Sequence, residues 1–277
     1  MLYIVNYKQI LITTIVFLSS IIAQKSYLNN FNPDSLKYKI TYATRCIESP
    51  IIDGKLDDEV WNMAIPQSEF FQLDPIEFGS PSEKTVVRVL YNDHALYISF
   101  ESFDSKPNNI RKPLTRRDAY MDGFASSADY VGFAIDSKND DYNGKWFGVN
   151  AAGVKIDVNV SGNEEYDRSW DAVWDAAVSI TDIGYIVEVM VPFSVFQFEN
   201  KIDQVWGISF NRHIHRKQEE VLWPGRQKSH VGTVSSFGIL LGLKDIPEPK
   251  KTELIPYALS SLNKDKNYYD IGADIRY

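Results

Sequence analysis

Cysteine is nearly missing from this chain: Cys46 stands alone in 277 residues. An internal disulfide framework and a multi-cysteine metal site are thereby excluded, which leaves Cys46 as a small interior residue or a lone thiol. There is no basic stripe either. The 29 Lys and Arg are scattered among 37 Asp and Glu, the formal charge is −8, and nucleic acid is not expected as a partner. No metalloprotease helix motif, nucleophile elbow, phosphate loop or dinucleotide fingerprint occurs. A glycoside hydrolase needs two carboxylates about 5–10 Å apart across a cleft. Asp171 with Asp175, or Glu188 with a partner, are candidates, but any acidic β-protein supplies such pairs. The expectation is a chain that is not an enzyme. Long amphipathic helices and solenoid-spaced repeats are also lacking.

The long apolar run is confined to the amino terminus. Lys8 supplies a positive n-region, Ile10 to Ile22 is apolar apart from Thr13, Thr14, Ser19 and Ser20, and Ala23 offers a small residue for cleavage before Gln24. That is a signal-peptide pattern over residues 1–23, and the run is short for a bilayer-spanning helix; the other reading is an uncleaved anchor. No cysteine follows the cleavage point, so a lipid anchor is not expected there. Loss of Lys8 takes the charge from −8 to −9. The protein is expected to be exported, to the periplasm or outer membrane.

What remains is dominated by short β-strands. Residues 24–44, rich in Asn, Ser and Lys at their start, read as a lead-in. Val86 to Tyr91 and Leu96 to Phe103 flank Asn92-Asp93-His94-Ala95, which is hairpin chemistry. Leu96, Ile98 and Phe100 share one face, and Tyr97, Ser99 and Glu101 the other. Further strands are expected at 129–136, 146–150, 154–160, 172–180, 185–191, 205–214 and 237–243. Val154, Ile156, Val158 and Val160 alternate with Lys155, Asp157 and Asn159, the period of a half-buried strand. Short helical turns fit Leu56 to Met63 and Pro192 to Phe196. Many short strands with close turns predict an all-β antiparallel sandwich of jelly-roll or immunoglobulin-like type over residues 45–243.

A proline-punctuated linker, residues 244–252, precedes two more strand patterns, Glu253 to Leu262 and Tyr269 to Tyr277. Ile271, Ala273 and Ile275 alternate with Gly272, Asp274 and Arg276, as in a membrane-barrel strand. The alternative is two strands added to the sandwich edge, since an isolated hairpin is marginal in water.

Ile52-Asp53-Gly54-Lys55-Leu56-Asp57-Asp58-Glu59-Val60-Trp61 resembles the opening motif of the family 9 carbohydrate-binding modules. Asp53-Gly54 makes a tight turn, and Leu56 and Trp61 pack inward. The hairpin of residues 86–103, Asp129 to Asp136, Tyr185 to Phe193, and Val205 to Arg212 agree with that family. Phe147 to Val154 and Ser169 to Trp174 are similar to an uncharacterised bacterial family in which such a module precedes an outer-membrane β-barrel. That resemblance makes residues 253–277 the first strands of a truncated barrel. It implies a jelly-roll sandwich, binding of a polysaccharide or oligosaccharide, structural calcium, and association with polysaccharide breakdown or uptake. A different reading keeps the sandwich as a structural or partner-binding domain of a barrel, without sugar binding.

Sugar binding on a sandwich needs aromatic faces for the apolar side of a pyranose and planar polar groups for its hydroxyls. Trp146, Trp170, Trp174 and Trp223 lie in or beside polar stretches. Trp170 and Trp174 are chosen as the platform, with Asn211 and Arg212 as polar partners; the competing assignment puts Trp174 in the core and Trp170 over it as a packing cap. For calcium, Asp136, Asp140 and Asp141 cluster in one strand-end turn, which solvated acidic turns also do. His213 and His215, two apart on a strand, are a metal pair or part of a polar face.

Overall fold

Apolar side chains recurring every second residue become two facing layers in the computed structural model, which describes residues 39–119, 123–247, 253–262 and 267–276. The expected signal peptide, most of the lead-in and residues 248–252 of the expected linker lie outside the described residues. The strands are β1 (Ile40–Tyr42), β2 (Thr44–Arg45), β3 (Phe71–Asp74), β4 (Thr85–Tyr91), β5 (Ala95–Phe103), β6 (Tyr130–Asp136), β7 (Gly144–Asn150) and β8 (Lys155–Ser161). They continue as β9 (Glu165–Asp167), β10 (Asp175–Thr181), β11 (Gly184–Pro192), β12 (Trp206–Ile214), β13 (Glu219–Trp223), β14 (Gly238–Leu241), β15 (Glu253–Leu262) and β16 (Asn267–Arg276).

Among the described residues they form a sheet of nine, a sheet of five and a two-stranded hairpin. The larger sheet runs β1-β14-β12-β6-β7-β8-β9. β12 is long enough to pair with β14 at Trp206 to Ile208 and with β13 at Phe210 to Ile214, and β3 adds beyond β13. The smaller sheet runs β10-β11-β5-β4-β2. Pairing is antiparallel except for β1 with β14 and β2 with β4. The fold is the expected all-β sandwich. Both helical turns form as 3-10 turns, Glu59–Met63 and Phe193–Val195.

Val131, Phe133, Ile135, Phe147, Trp206 and Phe210 of the larger sheet face Val87, Val89, Ile98, Phe100, Val187 and Val189 of the smaller one in a single core. Burying each such side chain contributes about 1.5–3 kcal/mol. Two further faces are buried outside that core. In β5 the second face is also buried, because Trp61 and Cys46 form a separate cluster with Tyr97. In β8 the alternating Ile156, Val158 and Val160 are buried on the side away from the main core, in a cluster with Phe124, Val234 and Phe237.

Buried polar groups tie the layers together. Glu188 on β11 accepts the backbone N–H groups of Asp53, Gly54 and Lys55 on Oε2, at 3.1, 2.7 and 3.1 Å, and the Trp61 indole N–H on Oε1 at 2.8 Å. Gly54 has φ +86° and lies against the backbone of Val178, so the Asp53-Gly54 turn has no room for a side chain. Burial raises the Glu188 pKa, opposed by the Trp61 indole N–H and the turn's N–H groups. Glu188 is a clamp, with both oxygens taken.

The hairpin of β15 and β16 pairs Glu253 with Arg276 through to Leu262 with Asn267. Tyr257 lies opposite Gly272 and covers it.

Candidate functional site

The outer face of the larger sheet carries a bare spot. Gly132 on β6 and Gly148 on β7 are direct cross-strand partners, with Asn211 of β12 opposite Gly132 on its other side. The next row holds Ser209, Ala134, Trp146 and Val158. With no side chains on the two glycines, the Trp146 indole folds down across them. A Cβ on Gly132 would stand 2.7 Å from the ring, and one on Gly148 would collide with it as well. The Trp146 N–H donates to Asn211 Oδ1 at 3.1 Å. Phe124 and Tyr130 meet the indole edge-on, at centroid distances of 6.4 and 6.5 Å. The ring is thereby held flat on the sheet.

Above it is a cavity of about 310 Å³, at the small end of the roughly 300–1,000 Å³ typical of ligand sites. The β12–β8 face is its floor, Glu220 and Leu222 of β13 and Tyr166 of β9 stand at its sides, and the segment from Pro224 to Phe237 wraps it. That segment is fastened across the sheet. Tyr166 hydrogen-bonds Thr233, Glu164 accepts the Gly232 N–H at 2.5 Å, and Asn163 Oδ1 accepts the Ser235 N–H at 3.0 Å. Arg168 follows β9 and Arg226 follows β13, and both line the space. Arg226 also donates to the Gly232 carbonyl at 3.2 Å. Burial raises the pKa of Glu220, Arg226 opposes that, and Asp74 adds to it.

Of the four residues chosen for sugar, one lies here. Asn211 lines the cavity and is hydrogen-bonded to its indole. Trp174 is 4% exposed, edge-on to Phe147 at 5.3 Å, with its N–H on Asp157 at 3.1 Å. Trp170 is half-buried against the same core, with Lys145 Nζ 4.2 Å above its ring. Arg212 is fully buried on the inner face of β12 and spans the two sheets. It donates to Lys84 O and Thr85 Oγ1 of the facing layer at 3.0 Å each, and to Phe103 O at 2.7 Å. Trp174 and Arg212 are interior residues, and Trp170 packs half-buried over the same core. Trp223 is also core. The cavity side chains not chosen from sequence include Trp146, Tyr166, Arg168, Glu220 and Arg226. Two glycines inside strands around a tryptophan were the available signal, since a strand glycine marks a close approach.

The expected calcium ligands do not converge. Asp136 is buried and accepts the N–H groups of Lys138 and Asp141 at 3.1 and 2.9 Å, while Asp140 accepts those of Tyr142 and Asn143 at 2.9 and 2.7 Å. Their oxygens shape the turn. Among the described residues, the one group of three whose carboxylate oxygens all lie within 4.8 Å of one another is Asp118, Asp157 and Asp171. Arg117 reaches all three, at 3.4, 2.8 and 2.6 Å, and supplies the positive charge itself. His213 stacks on Tyr130 at 5.3 Å, and burial lowers its pKa; the His215 ring is 6.2 Å from it.

None of the curated proteins matches the chain. A family 9 carbohydrate-binding module from Caldicellulosiruptor kristjanssonii, solved in complex with glucose, aligns with a TM-score of 0.55 and 17% identity. It covers 76% of this chain and all of its own. The structure of a family 9 module from the same organism with cellotriose gives 0.54 and 18%, with the same coverage. At such identity the likeness is one of fold. The family model described as carbohydrate family 9 binding domain-like matches residues 52–221, well over half of the chain. The chain belongs to the carbohydrate family 9 binding domain-like family.

Proposed function

We propose that the protein binds an oligosaccharide, without cleaving it, in the cavity over Trp146. The observation that carries this is the indole laid flat on two glycines, with Asn211 at its edge. A rigid aromatic face matches the apolar side of a pyranose, and the surrounding amide, hydroxyl and charged groups match its hydroxyls. The Asn211 amide uses its Oδ1 to hold the indole, and among the described residues no protein group accepts from its Nδ2, so it has donors to offer. The solved family 9 modules with glucose and cellotriose support the same reading.

Calorimetric titration of the full chain with a panel of soluble oligosaccharides tests it. Saturable heat with at least one of them is expected. Trp146→Ala should weaken that binding by about 2 kcal/mol, roughly thirtyfold in Kd, while the circular dichroism stays native. A flat response from folded protein across the panel overturns the proposal.

We place this activity at the cell envelope, in capture of polysaccharide for breakdown or uptake. The signal-peptide pattern supports export. The ten-residue strands β15 and β16 have the length of a bilayer-crossing β-strand, about 9–11 residues. Recovery of the native protein in the cytoplasmic fraction with residues 1–23 still attached would count against this placement.

A further inference from the structure

We infer that Glu220 is the specificity-determining acceptor of this cavity, taking two neighbouring hydroxyls of the bound ring on its carboxylate. The ligand is then a glycan with such a hydroxyl pair left unsubstituted. This rests on the carbohydrate reading above and specifies its ligand class.

Strand register places the carboxylate. β13 lies beside β12 with Leu222 opposite Asn211 and Glu220 opposite His213, so Glu220 is the diagonal neighbour of Asn211 on the same outer face. Diagonal neighbours on adjacent antiparallel strands stand roughly 7–8 Å apart, a span that one sugar ring bridges. Trp146 reaches across from β7 to Asn211, so indole, amide and carboxylate follow one another from the floor of the cavity to its wall. The pairing of β13 with β3 shifts register at Glu220, and irregularities of this kind re-aim the side chain beside them.

What sets Glu220 apart is that its oxygens are unclaimed. Three other carboxylates of this region have protein donors. Asp74, its partner on β3, takes Lys228 Nζ at 2.5 Å, and Glu219, its neighbour in the chain, accepts the Ser82 N–H at 2.8 Å. Glu164 accepts the Gly232 N–H. Among the described residues no protein group donates to Glu220. Arg226, whose charge acts on it, donates instead to the Gly232 carbonyl, and His213 is stacked on Tyr130.

The chemistry of a carboxylate narrows the ligand. It accepts only, through two oxygens held side by side. Hydroxyls on adjacent ring carbons donate side by side, and their bonds to a charged acceptor are about twice as strong as bonds between neutral groups. A ring seated on Trp146 displaces water from Glu220, and a carboxylate that loses water without gaining donors is costly. A free hydroxyl pair offsets that cost, and a ring deoxygenated or substituted there does not. Asn211 Nδ2 donates to a sugar oxygen from the other end, so the two side chains read acceptors and donors separately.

The test is titration of the full chain, unaltered and as Glu220→Gln and Glu220→Ala, with cellotriose and its 2-deoxy, 3-deoxy and 6-deoxy forms. Where cellotriose gives no heat, the tightest binder of the oligosaccharide panel and its deoxy forms take its place. Both substitutions should weaken the parent sugar and the 6-deoxy form about tenfold, but the 2-deoxy or the 3-deoxy form by no more than about threefold. Circular dichroism keeps the comparison to folded protein, and Glu220→Gln, nearly equal in size, carries the test where the alanine variant fails to fold. Equal losses on all four sugars, or unaltered affinity for the parent sugar in both variants, overturn this inference and leave the carbohydrate reading standing. No heat from any oligosaccharide with folded protein overturns both.

Discussion

Glu83 and Asp136 pull the stability of this sandwich in opposite directions as pH changes. Burial pushes the Glu83 carboxyl up, but donors from Lys217, Ser105 and Arg216 outweigh it and hold the pKa at about 2. The stability this gives is present above the unfolded value near 4.5 and is lost as pH falls toward 2. Asp136 is the reverse: burial and the charge of Asp140 lift it to about 6 against the N–H groups of its turn. Its contribution is complete below the unfolded value of 3.8 and fades as pH rises through 6. The urea midpoint should therefore peak between about pH 4 and 5 as far as these two groups decide it. Glu83→Gln should flatten the acid limb and Asp136→Asn the limb between pH 4 and 6; unchanged limbs in both variants would refute the assignment. Glu188 yields a plainer expectation. Glu188→Ala strands three N–H groups and an indole N–H, and should cost about 3 kcal/mol in denaturant unfolding. The Asp53-Gly54 turn was readable because turn chemistry is local. The carboxylate that closes it lies 134 residues beyond Gly54, so from sequence Glu188 passed for a candidate catalytic acid.

At the scale of strands, the platform depends on what β6 and β7 leave out. Gly132 and Gly148 are paired directly, and only their missing side chains let the indole lie down. Gly148→Ala puts a methyl group under the ring and tilts it away from Asn211. Sugar affinity is expected to drop at least tenfold while the thermal midpoint moves by only a few degrees, since the glycine pair lies on the outer face of the sheet. Titration and a melting curve on one sample decide it; unaltered affinity would show that the flat indole is not the platform. Most strands could be read beforehand because their alternation is strong, as in β4 and β5. β13, Glu219–Trp223, escaped notice because its outward Glu220 and inward Val221 sit in a short run with no turn signal of its own. β8 shows the limit of periodicity. Alternation revealed which residues share a face, but nothing in the strand says that the apolar face meets Phe124 and Phe237 instead of the second sheet. The cavity is built by that unread crossing segment, which is why its walls were invisible from sequence.

For the molecule as a whole, the proposed sugar site and the bonds that join the layers sit on opposite faces of one strand. β12 sends Asn211 outward to the cavity and Arg212 inward to the smaller sheet, consecutive residues with unrelated tasks. Sequence adjacency made both look like sugar ligands, and the period of two separates them. Arg212 joins the layers by donating to Lys84, Thr85 and Phe103, and sits 5.6 Å from the Tyr185 ring, whose hydroxyl is pushed up to about 12 by burial. Arg212→Met keeps the length of the side chain but leaves two carbonyls and a hydroxyl without their donor. It should lower the unfolding free energy by about 3 kcal/mol or more, because buried acceptors lose partners that water cannot replace. The fraction that remains folded should still bind oligosaccharide within about twofold of the unaltered protein, since the outer face does not rely on that guanidinium. Denaturant unfolding and titration together separate the two tasks. Loss of sugar affinity with stability intact would move Arg212 to the ligand and would mean that the two faces of β12 are coupled through the sheet.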